Sequence, residues 1–170
     1  IQLQKFGTKW TEPQVFIELE GHNDPYSDYQ KYIDVTLSYG HECEILQEVK
    51  TVAVVGASAN YKRDSYKVME SLIEHGYQIF PINPNEQGNL ILGQLCHKDL
   101  QSVSGKIDMV DVFRAQDLVV GVTKEAIEIG AKVLWTQLGI FNDEAQELAI
   151  KAGLKVVMNR CPKIELEKQN

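Results

Sequence analysis

Long apolar runs are missing from this 170-residue sequence: none approaches the ~20 residues that a membrane-spanning helix requires, so no membrane partner is expected. Positive charge is scarce as well. Seventeen Lys and Arg stand against 24 Asp and Glu, a net charge of −7, whereas nucleic-acid binding needs a concentrated basic face to neutralise phosphates. No nucleic-acid partner is expected. Cysteine is sparse: Cys43, Cys96 and Cys161 lie far apart and are odd in number. With no C-x-x-C pair among them, neither a disulfide framework nor a metal site is indicated. Free thiols fit a reducing compartment, and the first residues show neither a basic segment leading into an apolar one nor an Arg-rich amphipathic stretch, so the expected location is cytoplasmic. Catalytic signatures are lacking too. There is no G-x-S-x-G elbow and no H-E-x-x-H, and the acidic residues are spread along helix-like segments as solvated faces are.

What is present is an ordinary globular composition, 44% hydrophobic and 24% charged, in a chain long enough for a domain that buries roughly 70% of its unfolded surface. The pattern divides into an extension over residues 1–40 and one domain over 41–170. Within the extension, Val15–Leu19 reads as a short strand and the spacing of Tyr29, Tyr32, Ile33, Thr36 and Leu37 predicts a helix from about Asp28 to Ser38. Its aromatic content points to packing on its own domain or on a second subunit, so a homodimer or a protein partner through this extension is the expectation.

Beyond Glu42 strands and helices alternate. Strands are predicted at Thr51–Val55, Tyr77–Ile82, Ile107–Phe113, Lys132–Trp135 and Lys155–Met158. The helix faces are Ile45, Leu46 and Val49; Tyr66, Met69, Leu72 and Ile73, closed by Gly76; Leu118 to Ile129; and Ala145 to Ala152, with a further short helix near Lys98 to Val103. This rhythm predicts an α/β fold, a five-stranded parallel sheet with helices on both faces, joined by right-handed crossovers. Ligands of such sheets bind outside the carboxyl ends of the strands.

The chain is organised around Thr51-Val-Ala-Val-Val-Gly-Ala-Ser58 and the loop that follows. A strand, a tight glycine turn and a helix start would place backbone N–H groups and a positive dipole end where an anion settles, so Gly56, Ala57 and Ser58 are candidate phosphate contacts. A first strand-to-helix turn also favours glycine for packing alone. The other strand ends carry Asn83 and Pro84, Phe113 and Arg114, Gln137 and Gly139, and Arg160 and Cys161. With Arg63, three arginines fall at one edge of an acidic protein, which favours a polyanionic ligand; the alternative is that Arg114 and Arg160 pair with carboxylates such as Asp111. A dinucleotide site of the NAD type wants G-x-G-x-x-G and an acid after the second strand. Here the turn has one glycine and the strand ends in Asn83-Pro84. The basic loop with Lys62 and Arg63 suits a ligand richer in phosphate. Asp108 and Asp111 lie on opposite faces of their strand and are no acid/base pair.

The segments Val54-Val-Gly-Ala-Ser58, Arg63-Asp-Ser-Tyr66, Pro81-Ile-Asn-Pro84, Asp108-Met-Val-Asp-Val-Phe-Arg114, Trp135-Thr-Gln-Leu-Gly-Ile140 and Val157-Met-Asn-Arg-Cys-Pro162 resemble, in this order, the small stand-alone CoA-binding proteins related to the nucleotide-binding domain of the succinyl-CoA synthetase α subunit. The resemblance covers about Ile45 to Glu165. It implies a Rossmann-like fold that binds coenzyme A, or an acyl-CoA, at the strand carboxyl ends as a non-catalytic binding or regulatory module. Carried over by position, Gly56, Ala57, Ser58 and Arg63, with Lys62, Ser65 and Tyr66 beside them, would meet phosphates. Asn83 and Pro84 would lie along the nucleotide, and Phe113, Arg114, Gln137 and Gly139 would line the rest; Arg160 and Cys161 are added as candidate contacts because they end the last strand. Ligase chemistry of that family needs a phosphohistidine in a glycine-rich loop; His22, His41, His75 and His97 match none, so enzymatic activity is not expected of these residues alone. Arg160 beside Cys161 can lower a thiol pKa, and one hypothesis is that Cys161 forms a mixed disulfide with the pantetheine thiol under oxidising stress; the favoured alternative is an inert, half-buried cysteine before a proline. The alternatives are a NAD- or nucleotide-sensing domain that signals to a partner, and a detached subunit of an acyl-CoA synthetase.

Overall fold

The computed structural model describes residues 5–6, 9–10 and 41–169, and the chain forms two compact units, Ile1–His41 and Glu42–Asn170. In the first, β1 (Lys5–Phe6) pairs antiparallel with β2 (Lys9–Trp10). The strand expected at Val15–Leu19 and the helix expected over Asp28–Ser38 lie outside the described residues.

The second unit runs α1 (Glu42–Glu48), β3 (Thr51–Val55), α2 (Asp64–Glu74), β4 (Gln78–Ile82), the short hairpin β5 (Leu90–Ile91) and β6 (Gln94–Leu95), β7 (Met109–Val112), α3 (Val119–Glu128), β8 (Val133–Thr136), α4 (Asp143–Lys151), β9 (Lys155–Val157) and α5 (Pro162–Glu167). Five strands form one parallel sheet in the order β4-β3-β7-β8-β9. β3, β7 and β8 are buried on both faces, which is why they read as near-continuous Val, Leu, Met and Ala runs rather than as alternation. Two apolar layers cover the sheet. One packs Ile45, Leu46, Met69 and Leu72 of α1 and α2 with the fully buried Trp135; the other packs α3 and α4 on Ala53, Val110 and Leu134. Gly76 closes α2 at φ +89°, its N–H bonded to Ile73 O while Tyr77 N–H reaches Leu72 O, so the expected glycine cap is a Schellman turn.

Three features differ from the sequence reading. Residues 98–103 form no helix: Asp99 accepts from Ser102 N–H at 2.8 Å, and this side-chain competitor closes a turn instead. The irregular stretch before it holds the β5–β6 hairpin. The segment after the last strand is α5, whose start carries a signal in Pro162 at its first position.

At the amino end of β7, Asp108 accepts from the N–H groups of Lys50 (3.0 Å) and Thr51 (3.2 Å), while Thr51 Oγ1 accepts from Asp108 N–H at 2.8 Å. Burial alone would raise this acid; the backbone donors and Thr51 outweigh it and hold Asp108 below the usual carboxylate range. The clamp registers β7 on β3.

Candidate functional site

The order β4-β3-β7 means that the chain leaves β3 toward β4 and returns beyond β3 to β7. The strand order therefore reverses beside β3, and the crevice falls between the carboxyl ends of β3 and β7. Two hollows lie there. One, about 370 Å³, is floored by Gly56, Ala57 and Ser58 and walled by Arg63, Ser65, Asn83 and Arg114. The other, about 590 Å³, runs toward β8 and α5 past Val68, Gln137, Ile140, Cys161 and Ile164. Asp64, Phe113 and Arg114 border both, so the two form one groove.

Gly56 is fixed by its neighbour strand. Its φ is +92°, and a Cβ there would sit 2.3 Å from the Phe113 carbonyl oxygen, a position only glycine tolerates. The N–H groups of Gly56 and Ala57 both donate to Ile82 O, at 2.9 and 3.2 Å. The expectation that these two offer free donors to an anion is corrected: the turn is spent on β4, and donors for an anion come from further along. Asn60 N–H bonds Ser58 Oγ, and Lys62 N–H and Arg63 N–H bond Asn60, so the loop is braced by its own polar side chains. Arg63 then occupies the cap position of α2 without a side-chain cap bond, and the first two residues of this 11-residue helix, Asp64 and Ser65, border the polar hollow. Asn83 is a clamp. Its amide nitrogen donates to Ala57 O at 2.8 Å and its oxygen accepts from Asn85 N–H at 3.0 Å.

Eight of the expected site residues border the polar hollow: Gly56, Ala57, Ser58, Arg63, Ser65, Asn83, Phe113 and Arg114. Gln137 and Cys161 join Phe113 and Arg114 at the other. Five lie outside both linings. Lys62 is exposed with its ammonium 5.8 Å from the Tyr61 ring centre, Tyr66 packs on the core, and Pro84 opens a solvent-exposed 3₁₀ turn. Gly139 N–H bonds Asn159 Oδ1 at 2.8 Å. Arg160 donates to Asn159 O at 2.8 Å and faces Glu42 of α1 at 3.7 Å. Lys67 of α2 and Lys163 of α5 stand at the groove in its stead; sequence reasoning missed both because they lie inside helices rather than at strand ends.

The alternative that the strand-end arginines pair with carboxylates holds for Arg160, on Glu42, but Asp111 is not such a partner. Asp111 is fully buried in β7, Gln137 Nε2 donates to its Oδ1 at 2.6 Å, and its Oδ2 has no partner. Burial pushes this acid up to about 8 against the smaller lowering pull of Gln137. Cys161 is buried as well, and burial raises its thiol rather than Arg160 lowering it, with the Asp111 carboxyl adding to the rise. The hypothesis of an activated thiolate is thereby disfavoured, and the alternative of an inert, buried cysteine fits. Among the described residues, no cluster of three or more His, Cys, Asp or Glu side chains could hold a metal ion, and no helix is long and apolar enough to cross a membrane.

The chain is 38% identical over 121 residues to YneT of Bacillus subtilis, covering 71% of this chain and 88% of that protein. It is 33% identical over 95 residues, 54% of this chain, to the α subunit of the ADP-forming acetate–CoA ligase I of Pyrococcus furiosus, of which it spans only 21%. Among solved structures, a hypothetical protein from Pyrococcus horikoshii aligns with a TM-score of 0.71 at 41% identity, covering 75% of this chain and 88% of that one. A Thermus thermophilus protein aligns at 0.72 and 30%, covering 75% and 96%. Residues 50–167 match the family described as a CoA binding domain, and with a five-stranded parallel Rossmann-like sheet carrying the groove at its carboxyl edge, the chain belongs to that CoA-binding-domain family.

Proposed function

We propose that the chain binds coenzyme A, or an acyl-CoA, in this groove as a binding or regulatory module. The phosphates take the polar hollow at the β3–α2 turn, and the pantetheine arm takes the larger hollow beside Cys161. The observation that carries this reading is the division of one continuous groove. A polar end with Arg63 and Arg114 at the start of α2 adjoins a larger end where Val68, Phe113, Leu138, Ile140 and Ile164 supply an apolar wall between charged neighbours such as Lys67 and Lys163, which matches a ligand that is polyanionic at one end and carries a largely uncharged arm at the other. A NAD-type reading is disfavoured at Asn83, where that site wants a carboxylate for the ribose and where both amide atoms are already bonded within the protein. Of the residues carried over by position, Arg63 meets phosphate, Arg114 stands where the two hollows join, and Gln137 lies along the arm with Cys161; Lys67 and Lys163 add cations beside the larger hollow.

Calorimetric titration with CoA, dephospho-CoA and NAD tests this. CoA binding that weakens without the 3′-phosphate and with Arg63→Ala is the expected result; heat from NAD and none from CoA would replace the ligand. The similarity to an acetate–CoA ligase α subunit supports a second reading, in which the chain supplies CoA to a ligase built with further domains. Co-purification with an ATP-binding ligase subunit would favour it.

A further inference from the structure

Met109, Asp111 and Phe113 alternate onto one face of β7, the face that packs against α1 and α2 with Trp135 and Cys161. An apolar side chain would fill the middle position without cost, as Val110 and Val112 do on the other face. Asp111 instead brings a buried carboxyl that forms no ion pair, accepts one hydrogen bond and leaves Oδ2 unpartnered. A buried polar atom without a partner costs on the order of 1–3 kcal/mol, so the group calls for an explanation other than stability.

Its one bond supplies it. Gln137 is buried and borders the larger hollow. Because its amide nitrogen is held on Asp111 Oδ1 at 2.6 Å, the carboxamide oxygen on the opposite arm is turned away from the carboxyl. Among the described residues no group donates a hydrogen bond to that oxygen, and it is not one of the fully buried atoms without a hydrogen bond, Glu42 Oε1 and Asp111 Oδ2, so it is accessible, and Gln137 borders the larger hollow. A free glutamine would present N–H or C=O equally. With Gln137 Nε2 lying on Asp111 Oδ1, the proton of the neutral acid sits on Oδ2, Oδ1 is left to accept, and the glutamine presents its oxygen.

We propose that Asp111 is the positioning residue of an inner subsite: it pins Gln137 so that the carboxamide oxygen meets an N–H or S–H donor on an otherwise aliphatic arm of the ligand. The inference rests on the CoA reading, since pantetheine carries both kinds of donor, amide N–H and terminal thiol.

The test uses the full chain and four probes: CoA, acetyl-CoA, adenosine 3′,5′-bisphosphate, which lacks the arm, and pantetheine, which lacks the nucleotide. Asp111→Leu is expected to weaken CoA about tenfold, roughly one lost hydrogen bond, and to leave the bisphosphate within about twofold, the margin of an untouched site. Asp111→Asn, which still offers an oxygen to Gln137, restores CoA affinity. Gln137→Met, which keeps Asp111, gives the same selective loss and serves if Asp111→Leu does not fold. Combined, the two losses are less than additive because both act through one contact. Equal CoA affinity in wild type and both variants overturns the proposal, as does a loss that falls equally on CoA and the bisphosphate, or an Asn variant as weak as the Leu one. Wild-type protein that binds the bisphosphate but gains nothing from the arm sinks the subsite alone; binding neither sinks the CoA reading itself. Acetyl-CoA, which has the amides but no S–H, identifies the donor: affinity equal to CoA assigns the amide, and a tenfold deficit assigns the thiol.

Discussion

The two ends of β7 solve the same problem in opposite ways. Asp108 at the amino end is bonded by the backbone N–H groups of Lys50 and Thr51 and lies about 4 Å from the ammonium groups of Lys106 and Lys132. Asp111, three residues on, is sealed in the sheet with one donor and an orphan oxygen. The first is held below the usual carboxylate range and the second pushed up to about 8. A carboxylate whose partners are all protein reads as architecture. One whose second oxygen lacks a partner, at the edge where the groove lies, reads as machinery kept at a cost in stability.

The largest expected effect is at the carboxyl end. Gly56→Ala drives a methyl to within 2.3 Å of Phe113 O at φ +92°, and the expected result is a loss above roughly 4 kcal/mol or no folded protein. A variant that melts like wild type would show that the β3 turn is not braced by β7.

Next comes pH. Below about 4 both folded and unfolded chains hold the Asp111 proton; between about 4 and 8 only the folded chain does, so stability contributed by the neutral acid is lost as pH rises through that window and levels off above it. Denaturation measured from pH 5 to 9 is expected to slope downward by on the order of 1 kcal/mol per pH unit until about 8. Asp111→Asn should flatten that slope and be the more stable protein at pH 8. An unchanged slope would mean that Asp111 ionises normally.

Asp108 acts with the opposite sign. Its folded pKa is depressed, so its stabilisation is present above the unfolded value and lost as pH falls through the folded one. Asp108→Ala strands two backbone donors and is expected to cost about 2–3 kcal/mol near neutrality, a cost that shrinks in acid. If it weakens CoA binding without touching stability, the division between the two ends is wrong. Arg63→Ala, at an exposed groove residue, is expected to weaken CoA about tenfold, as loss of one charged phosphate contact does, with stability unchanged within roughly 0.5 kcal/mol. The smallest effect is chemical: iodoacetamide should modify exposed Cys43 before buried Cys161, and the reverse order would restore the activated thiol.

Much of the fold was legible because burial on both sheet faces leaves a direct mark: the Val and Ala run of β3 and the Met-Val-Asp-Val of β7 could belong to few other settings. Helix α2 announced itself by periodicity and Gly76. The hairpin β5–β6 did not, since strands of two residues carry no period. Neither did the turn at Asp99–Ser102, where one side-chain bond outweighs a weak helical pattern. At the groove, the strand-end rule found Gly56, Ser58, Arg114 and Gln137 but not Lys67 or Lys163, and it counted Arg160, which the fold turns toward Glu42.

What the sequence determined by itself is the order and type of the elements, and hence the edge at which a ligand sits, because hydrophobic period and glycine placement are local and each strand-end residue inherits its address from them. Tertiary structure alone decided what those residues do there. Whether a turn N–H is free or spent on Ile82, whether an arginine faces the groove or Glu42, and whether an aspartate is clamped or left with an orphan oxygen depend on which strand lies alongside. Those contacts join residues 25 to 118 positions apart, and solvation at such a distance leaves no pattern in a linear chain.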